Sequence, residues 1–243
     1  MDANSLKVKI FGDGADMQTI LNLNSDPRIA GFTTNPTLMR KAGVEDYEAF
    51  ARAVVAAVTD KPISFEVFSD DLQEMEAQAR EIASWGSNVN VKIPITNTKG
   101  MLCLPIIERL SASGVKLNVT AMTLYEQVAA VTPLLSKGCG GILSVFAGRI
   151  ADSGRDPVPV MKKCLELVNS HPGCELLWAS PRELLNIVQA DEMGCHIITV
   201  TADILKKLPL LGGDLGAVSL DTVKMFYNDA QAAGYTIRAK ATK

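Results

Sequence analysis

Among the 24 basic residues of this chain, Lys92 is set apart by its neighbours. Residues 88 to 96 read Asn-Val-Asn-Val-Lys-Ile-Pro-Ile-Thr. Val89, Val91, Ile93 and Ile95 alternate at period two, which predicts a strand, and Lys92 falls on the opposite face. Pro94 has no N–H, so the ladder is expected to end near it. A lysine near the carboxyl end of an apolar strand is costly unless it has a partner or a task. Burial disfavours an ammonium, and a desolvated lysine becomes a nucleophile towards carbonyls. A strand-end lysine reaching for solvent is the alternative that this stretch leaves open.

The elements around Lys92 bear on that choice. Strand-like runs occur at Lys7–Asp13, Ile29–Thr33, Pro62–Val67, Val89–Thr96, Val115–Thr120, Ile142–Phe146, Cys174–Ala179 and His196–Val200. Helical patterns separate them, over Ala15–Leu23, Val44–Val58, Leu72–Trp85, Gly100–Ser113, Leu124–Leu135, Val158–Ser170, from Ser180-Pro181-Arg182 onward, and Ala202–Leu208. Thr34 to Thr37 reads as a polar turn. A terminal helix is expected from Ser219 to about Ala233. Strict alternation implies a parallel sheet with helical crossovers, and eight units is the number for a closed (β/α)8 TIM barrel with an additional C-terminal helix. No Pro-, Ser- or charge-rich linker divides the chain, so 1–243 is expected to be a single domain with an extension over about 210–243. An open doubly wound sheet would want a third glycine after Gly12-Asp13-Gly14.

In such a barrel the carboxyl ends of the strands converge on one site. Those ends supply Asp13, Thr33, Asn35, Glu66, Lys92, Asn118, Thr120, Ser144, Arg149, Ser180 and Arg182. A lysine with acids and no metal-ligand cluster suits a Schiff-base carbonyl enzyme. The arginines suit a phosphate or similar anion. Singly, each has a plainer explanation. Asp13 could cap the next helix, Asn35 could be a turn residue before Pro36, Glu66 could pair with any cation, and Arg182 could lie on a solvated helix face.

Composition narrows the classes further. The net charge of −3 carries no footprint for nucleic acid or an anionic membrane. No apolar run reaches spanning length and the start has no signal-peptide core, so a cytoplasmic protein is expected. The five cysteines, Cys103, Cys139, Cys164, Cys174 and Cys195, form no Cys-x-x-Cys pair and read as reduced thiols. His171 and His196 read as structural, and no metal site is expected.

Four segments then become familiar in order. Phe32-Thr33-Thr34-Asn35-Pro36-Thr37 resembles the Thr-Thr-Asn-Pro-Ser/Thr signature of the transaldolase family. Val91-Lys92-Ile93-Pro94-Ile95-Thr96 resembles that family's Schiff-base lysine strand. Ser144-Val145-Phe146-Ala147-Gly148-Arg149-Ile150 resembles its Ser-Pro-Phe-Val-Gly-Arg-Ile segment, and Ala179-Ser180-Pro181-Arg182 its Ala-Ser-Phe-Arg segment. The resemblance runs from about Val8 to Tyr235. It implies that Lys92 forms the imine with a ketose and that Asp13 moves the C4 hydroxyl proton. It further implies that Glu66 and Thr120 hold a shuttling water. Asn35, Asn118 and Ser144 would bind the dihydroxyacetone unit, with Thr33 supporting the acid. Arg149, Ser180 and Arg182 would grip the terminal phosphate of a sugar-phosphate substrate. No added cofactor is implied, because the protonated imine is the electron sink. Compact members are often pentamer-based decamers, so a homo-oligomer is expected.

Pro181 and Val145 depart from the family's Phe and Pro, and a sulfonated ketose would also present an anion to the arginines. Related aldolases that release free dihydroxyacetone tend to carry Gln at Glu66 and Tyr at Phe146. This chain has the transferase choice at both positions. A non-catalytic sugar-phosphate-binding barrel, a third reading, has no use for a buried lysine near Asp13.

Overall fold

A computed structural model describes residues 3–136 and 139–237. The ends of the expected 1–243 span lie outside the described residues. Eight strands, β1 (Lys9–Asp13), β2 (Ile29–Thr33), β3 (Ile63–Glu66), β4 (Val89–Pro94), β5 (Leu117–Met122), β6 (Gly141–Val145), β7 (Cys174–Trp178) and β8 (Ile197–Thr201), pair in parallel in sequence order. β8 pairs with β1 and closes the barrel. The expected (β/α)8 architecture is the one observed.

The crossovers carry α1 (Met17–Asn24), α2 (Pro36–Lys41), α3 (Tyr47–Ala57), α4 (Leu72–Ser84), α5 (Leu104–Ala112), α6 (Tyr125–Ser136), α7 (Ala147–Asp152), α8 (Val158–Asn169) and α9 (Leu185–Glu192), and α10 (Ala202–Leu205) follows β8. A last helix, α11 (Leu215–Ala232), follows a short 3-10 turn at Leu208–Leu210. Asp16, Asn35, Asp46, Asp71 and Asp214 start α1, α2, α3, α4 and α11 by accepting backbone N–H bonds that the first turn leaves free.

Several expected boundaries are corrected. The stretch read as a polar turn at Thr34–Thr37 enters α2, because Asn35 is a cap and Pro36 fits a first turn. The segment after β6 contains α7, too short for helical periodicity to register. The helix expected from Ser180 begins instead at Leu185, because Ser180 adopts φ +62° and turns the chain away. The helix expected from Gly100 begins at Leu104, where Pro105 is tolerated. α11 begins a turn before Ser219, at its Asp214 cap.

Apolar residues on the outer face of the strands, such as Val91, Ile93, Val119 and Leu143, pack against the helices in one continuous core. Inside the barrel, Phe11, Ile142, Leu177, Ala179 and Ile197 form a separate apolar cluster. Gly31 makes room for it, since a Cβ there would stand 2.7 Å from the Phe11 ring. The polar interior residues, among them Thr33, Ser64, Lys92, Asn118, Thr120, Ser144 and Thr199, are also buried. α11 buries no residue and exposes Leu215, Val218, Val223 and Phe226. No helix among the described residues is long and apolar enough to cross a membrane.

Candidate active site

Strand register builds the site. Glu66 on β3 pairs in register with Lys92 on β4, and Lys92 with Asn118 on β5, so the three lie side by side on one face. Lys92 is buried, with its Nζ 3.1 Å from Glu66 Oε2. The same Nζ donates to the backbone oxygen of Thr34 at 2.8 Å. The cation beside Glu66 is therefore Lys92 itself, and Lys92 does not reach for solvent.

Asp13 ends β1 and does not cap a helix; the cap of α1 is Asp16. Thr33 Oγ1 donates to Asp13 Oδ1 at 2.7 Å and also bonds Thr199 Oγ1. A hydroxyl has one proton, so Thr199 is the donor to Thr33. Burial pushes the Asp13 carboxyl above the usual carboxylate range. The Lys92 charge and the Thr33 bond pull it back, and the Glu66 charge adds to the rise. Asp13 is thus an acid whose charged form is disfavoured by its site, a common condition of proton-transfer groups.

A cleft of about 510 Å3 opens at the carboxyl ends of the strands. Asp13, Thr33, Asn35, Glu66, Lys92, Thr120, Ser144, Phe146, Arg149, Ser180 and Arg182 all line it. Asn118 is the exception. It is wholly buried, where its Nδ2 donates to Ser64 Oγ at 3.1 Å and its Oδ1 accepts from Ser144 Oγ at 2.6 Å. Asn118 therefore reaches the cleft through Ser144. Asn35 both lines the cleft and caps α2 through its Oδ1. Thr120 Oγ1 is buried and finds no hydrogen-bond partner among the described residues. Phe146 packs on the apolar cluster of the barrel interior and presents no polar atom to the cleft.

The two arginines stand at the rim on different elements. Arg149 is on α7 and exposed. Arg182 follows β7 and donates through Nε to Asp152 Oδ1 at 2.8 Å, through Nη2 to Asp152 Oδ2, and through Nη1 to Ser180 Oγ at 3.0 Å. The guanidinium is not on a helix face, as a plain reading would place it. The Arg182 bonds hold the Asp152 carboxyl below its ordinary range.

Sequence reasoning missed Thr34, Tyr47, Ser64, Asp152 and Thr199. Thr199 sits one strand over from Asp13 within an apolar run, and only barrel closure brings it there. A larger cavity of about 620 Å3 opens at the opposite end of the barrel. Its lysines are taken, Lys9 by Glu175 at 2.6 Å and Lys116 by the Ser87 carbonyl at 2.7 Å.

The closed parallel barrel, with a buried lysine and two acids in its carboxyl-end cleft, has the architecture and residue types of a carbonyl-condensing enzyme. The family model described as Transaldolase/Fructose-6-phosphate aldolase matches residues 10–242. A probable transaldolase of Methanococcus maripaludis is 33% identical over 202 residues, covering 83% of this chain and 89% of that protein. A probable transaldolase of Dehalococcoides mccartyi is 34% identical over 203 residues, covering 83% and 90%. Among solved structures, KGPDC from Streptococcus mutans superposes with a TM-score of 0.53 at 10% identity, over 81% of this chain and 88% of that one. A mandelate oxidase variant superposes with a TM-score of 0.52 at 13% identity, over 84% and 67%. These two share the fold alone. The chain belongs to the transaldolase/fructose-6-phosphate aldolase family.

Proposed function

We propose that the protein is a transaldolase that moves a dihydroxyacetone unit from a ketose phosphate to an aldose phosphate through a Schiff base on Lys92. The carrying observation is the buried Lys92 amine held against Glu66 in the cleft that Asp13 also lines. The amine adds to the C2 carbonyl of the donor, and loss of water leaves a protonated imine. The C3–C4 bond then breaks. Its electron pair passes into the imine to give an enamine, and the C4 hydroxyl proton goes to Asp13. The first aldose leaves. The enamine attacks the aldehyde carbon of the acceptor, Asp13 returns a proton to the new alkoxide, and water hydrolyses the imine.

The raised affinity of Asp13 for its proton supports the acid/base role. The free Thr120 hydroxyl supports a bound water shared with Glu66. Thr33 supports Asp13, while Asn35 and Ser144 meet the dihydroxyacetone unit and Asn118, behind them, orients the Ser144 hydroxyl. Arg149, Ser180 and Arg182 take the phosphate of fructose 6-phosphate or sedoheptulose 7-phosphate, whose dianion competes with Asp152 for the guanidinium. A second reading is an aldolase that releases free dihydroxyacetone. Phe146 disfavours it, because the ring offers no proton to the enamine carbon and its apolar surface keeps water away.

The test is reductive trapping. Borohydride with fructose 6-phosphate should add a covalent mass to the Lys92 peptide, and Lys92→Ala should show no such adduct and no transfer. An adduct of equal yield in Lys92→Ala would end this reading. We also assign the protein to the cytoplasm, supported by its free thiols, and to a homo-oligomer, supported by the uncovered apolar residues of α11. Sedimentation velocity showing only monomer would remove the latter.

A further inference from the structure

The rung missing between β2 and β3 has a consequence for Lys92. The ladder runs regularly at first, Phe32 N–H to Pro62 O at 2.8 Å and Thr34 N–H to Ser64 O at 3.1 Å. In a parallel pair the next rung would take the Glu66 N–H to the Thr34 carbonyl. That rung is replaced. The Tyr47 hydroxyl, reaching in from α3, accepts from Glu66 N at 2.8 Å and donates to Glu66 O at 2.8 Å. Both main-chain groups of Glu66 are thereby satisfied by one side-chain oxygen. The Thr34 carbonyl, released from the ladder, accepts instead from Lys92 Nζ at 2.8 Å.

We propose that Tyr47 is a positioning residue for the reacting amine. By taking the Glu66 main chain out of the β2–β3 ladder, it frees the Thr34 carbonyl to hold Lys92 and fixes the strand end from which the Glu66 carboxylate reaches the same amine. The two groups that hold Lys92 Nζ, Thr34 O at 2.8 Å and Glu66 Oε2 at 3.1 Å, thus depend on one phenol. The ring lies among aromatic side chains. Phe65, Phe68 and Trp85 meet it at centroid distances of 6.5, 5.3 and 6.2 Å. Burial pushes its ionisation well above the ordinary phenol value, so the hydroxyl keeps the proton it donates. A phenylalanine would fill the same space yet leave Glu66 N–H and C=O without this partner. The natural replacement partner for that N–H is the Thr34 carbonyl, at the expense of Lys92.

The inference rests on the Schiff-base reading, and the experiment separates the two. Single-turnover borohydride trapping of dihydroxyacetone is timed in wild type, Lys92→Ala, Tyr47→Phe, Glu66→Gln, the Tyr47→Phe/Glu66→Gln pair and Phe68→Ala. A buried polar group left unpaired is expected to slow trapping in Tyr47→Phe by about five- to a hundredfold, with KM for fructose 6-phosphate unchanged, because the phosphate end of the cleft is untouched. The combined variant should lose less than the product of the two single losses, since both act on one amine. Phe68→Ala removes an exposed ring from beside Tyr47 but leaves the hydroxyl and its packing on Phe65 and Trp85, and it should trap at the wild-type rate. If Lys92→Ala still traps, the Schiff-base reading itself fails. If Lys92→Ala is silent but Tyr47→Phe traps at the wild-type rate, the positioning role alone is overturned. It is equally overturned if Phe68→Ala loses as much as Tyr47→Phe, which would make packing the cause. Should Tyr47→Phe not fold, 3,5-difluorotyrosine at position 47 weakens the oxygen as an acceptor and must slow trapping. An unchanged rate there also overturns the role.

Discussion

Gly148 offers a sharp test of how the rim of the cleft is held together. It is the second residue of α7, the helix carrying Arg149, and it lies against the turn that carries Ser180 and Arg182. A Cβ built on Gly148 would stand 1.6 Å from the Ser180 carbonyl oxygen, 2.7 Å from its carbon and 3.5 Å from Arg182 Cζ. A carbon rests about 3.3 Å from a carbonyl oxygen at its nearest comfortable approach. Gly148→Ala must therefore push α7 and the Ser180 turn apart by about 1.7 Å. Overpacking of this kind costs about 1–3 kcal/mol. At roughly 2–4 °C per kcal/mol for a chain of this length, the melting temperature should fall by roughly 2–12 °C. The functional loss should be larger, because the displacement separates the two halves of the proposed phosphate grip. A 1 Å misplacement can cost about a hundredfold. We expect kcat/KM for fructose 6-phosphate to fall by about that factor at a temperature where the variant is folded. Trapping of dihydroxyacetone, which has no phosphate, should hold within about threefold, because Lys92 and Glu66 lie on other strands. Circular dichroism fixes the folded range, a coupled assay gives kcat/KM, and mass spectrometry gives trapping. If a folded variant loses the two activities in equal measure, α7 and the Ser180 turn do not hold the substrate's phosphate together.

Further outcomes are expected at the cleft. Arg182→Ala should raise KM for a phosphorylated ketose by about ten- to a hundredfold through loss of a charge-assisted bond, with little change for the unphosphorylated sugar; equal changes for both would remove the arginine from the anion site. Asp13→Asn should still trap ketose on Lys92 while transfer falls by about 10²–10⁴-fold, and cleavage at the wild-type rate would deny Asp13 the proton-transfer role. The same variant tests the site's energetics. Because the Asp13 carboxyl is held above its ordinary value of 3.8, the contribution of this group to stability is lost as pH rises from that value through the raised one. Asparagine has no proton to lose, so the melting temperature of Asp13→Asn relative to wild type should climb as pH rises above the ordinary carboxyl value of 3.8 and be flat below it; a constant difference would contradict the burial argument. Finally, Phe146→Tyr places a hydroxyl at the cleft able to donate or to orient a water. It should raise the ratio of acceptor-free dihydroxyacetone release to transfer, and Glu66→Gln should push the same way. An unchanged ratio would leave Phe146 a packing element.

The barrel was legible because its signals are local. Period-two runs such as Val89 to Ile95 and the helical spacing of Leu72 to Trp85 are fixed by which face each side chain must bury, and eight alternations leave few ways to close a sheet. The lysine was legible for a related reason: a charge on the inner face of an apolar strand is conspicuous in any sequence. The short helices α2 and α7 escaped, since six residues complete fewer than two turns and show no periodicity. What lies across strands was beyond reach. Register and closure decide that Glu66 stands beside Lys92, that Thr199 bonds to Thr33, and that Asn118 lies behind Ser144. The residue pattern named the carboxylates and hydroxyls at strand ends but carried no information on which would touch. Tyr47 is the clearest case, a helical tyrosine whose sequence neighbours mark it as amphipathic surface. Only the packing of α3 over the end of β3 turns its hydroxyl into the partner of Glu66, because a hydrogen bond spanning 19 residues is written in tertiary geometry and nowhere in local order.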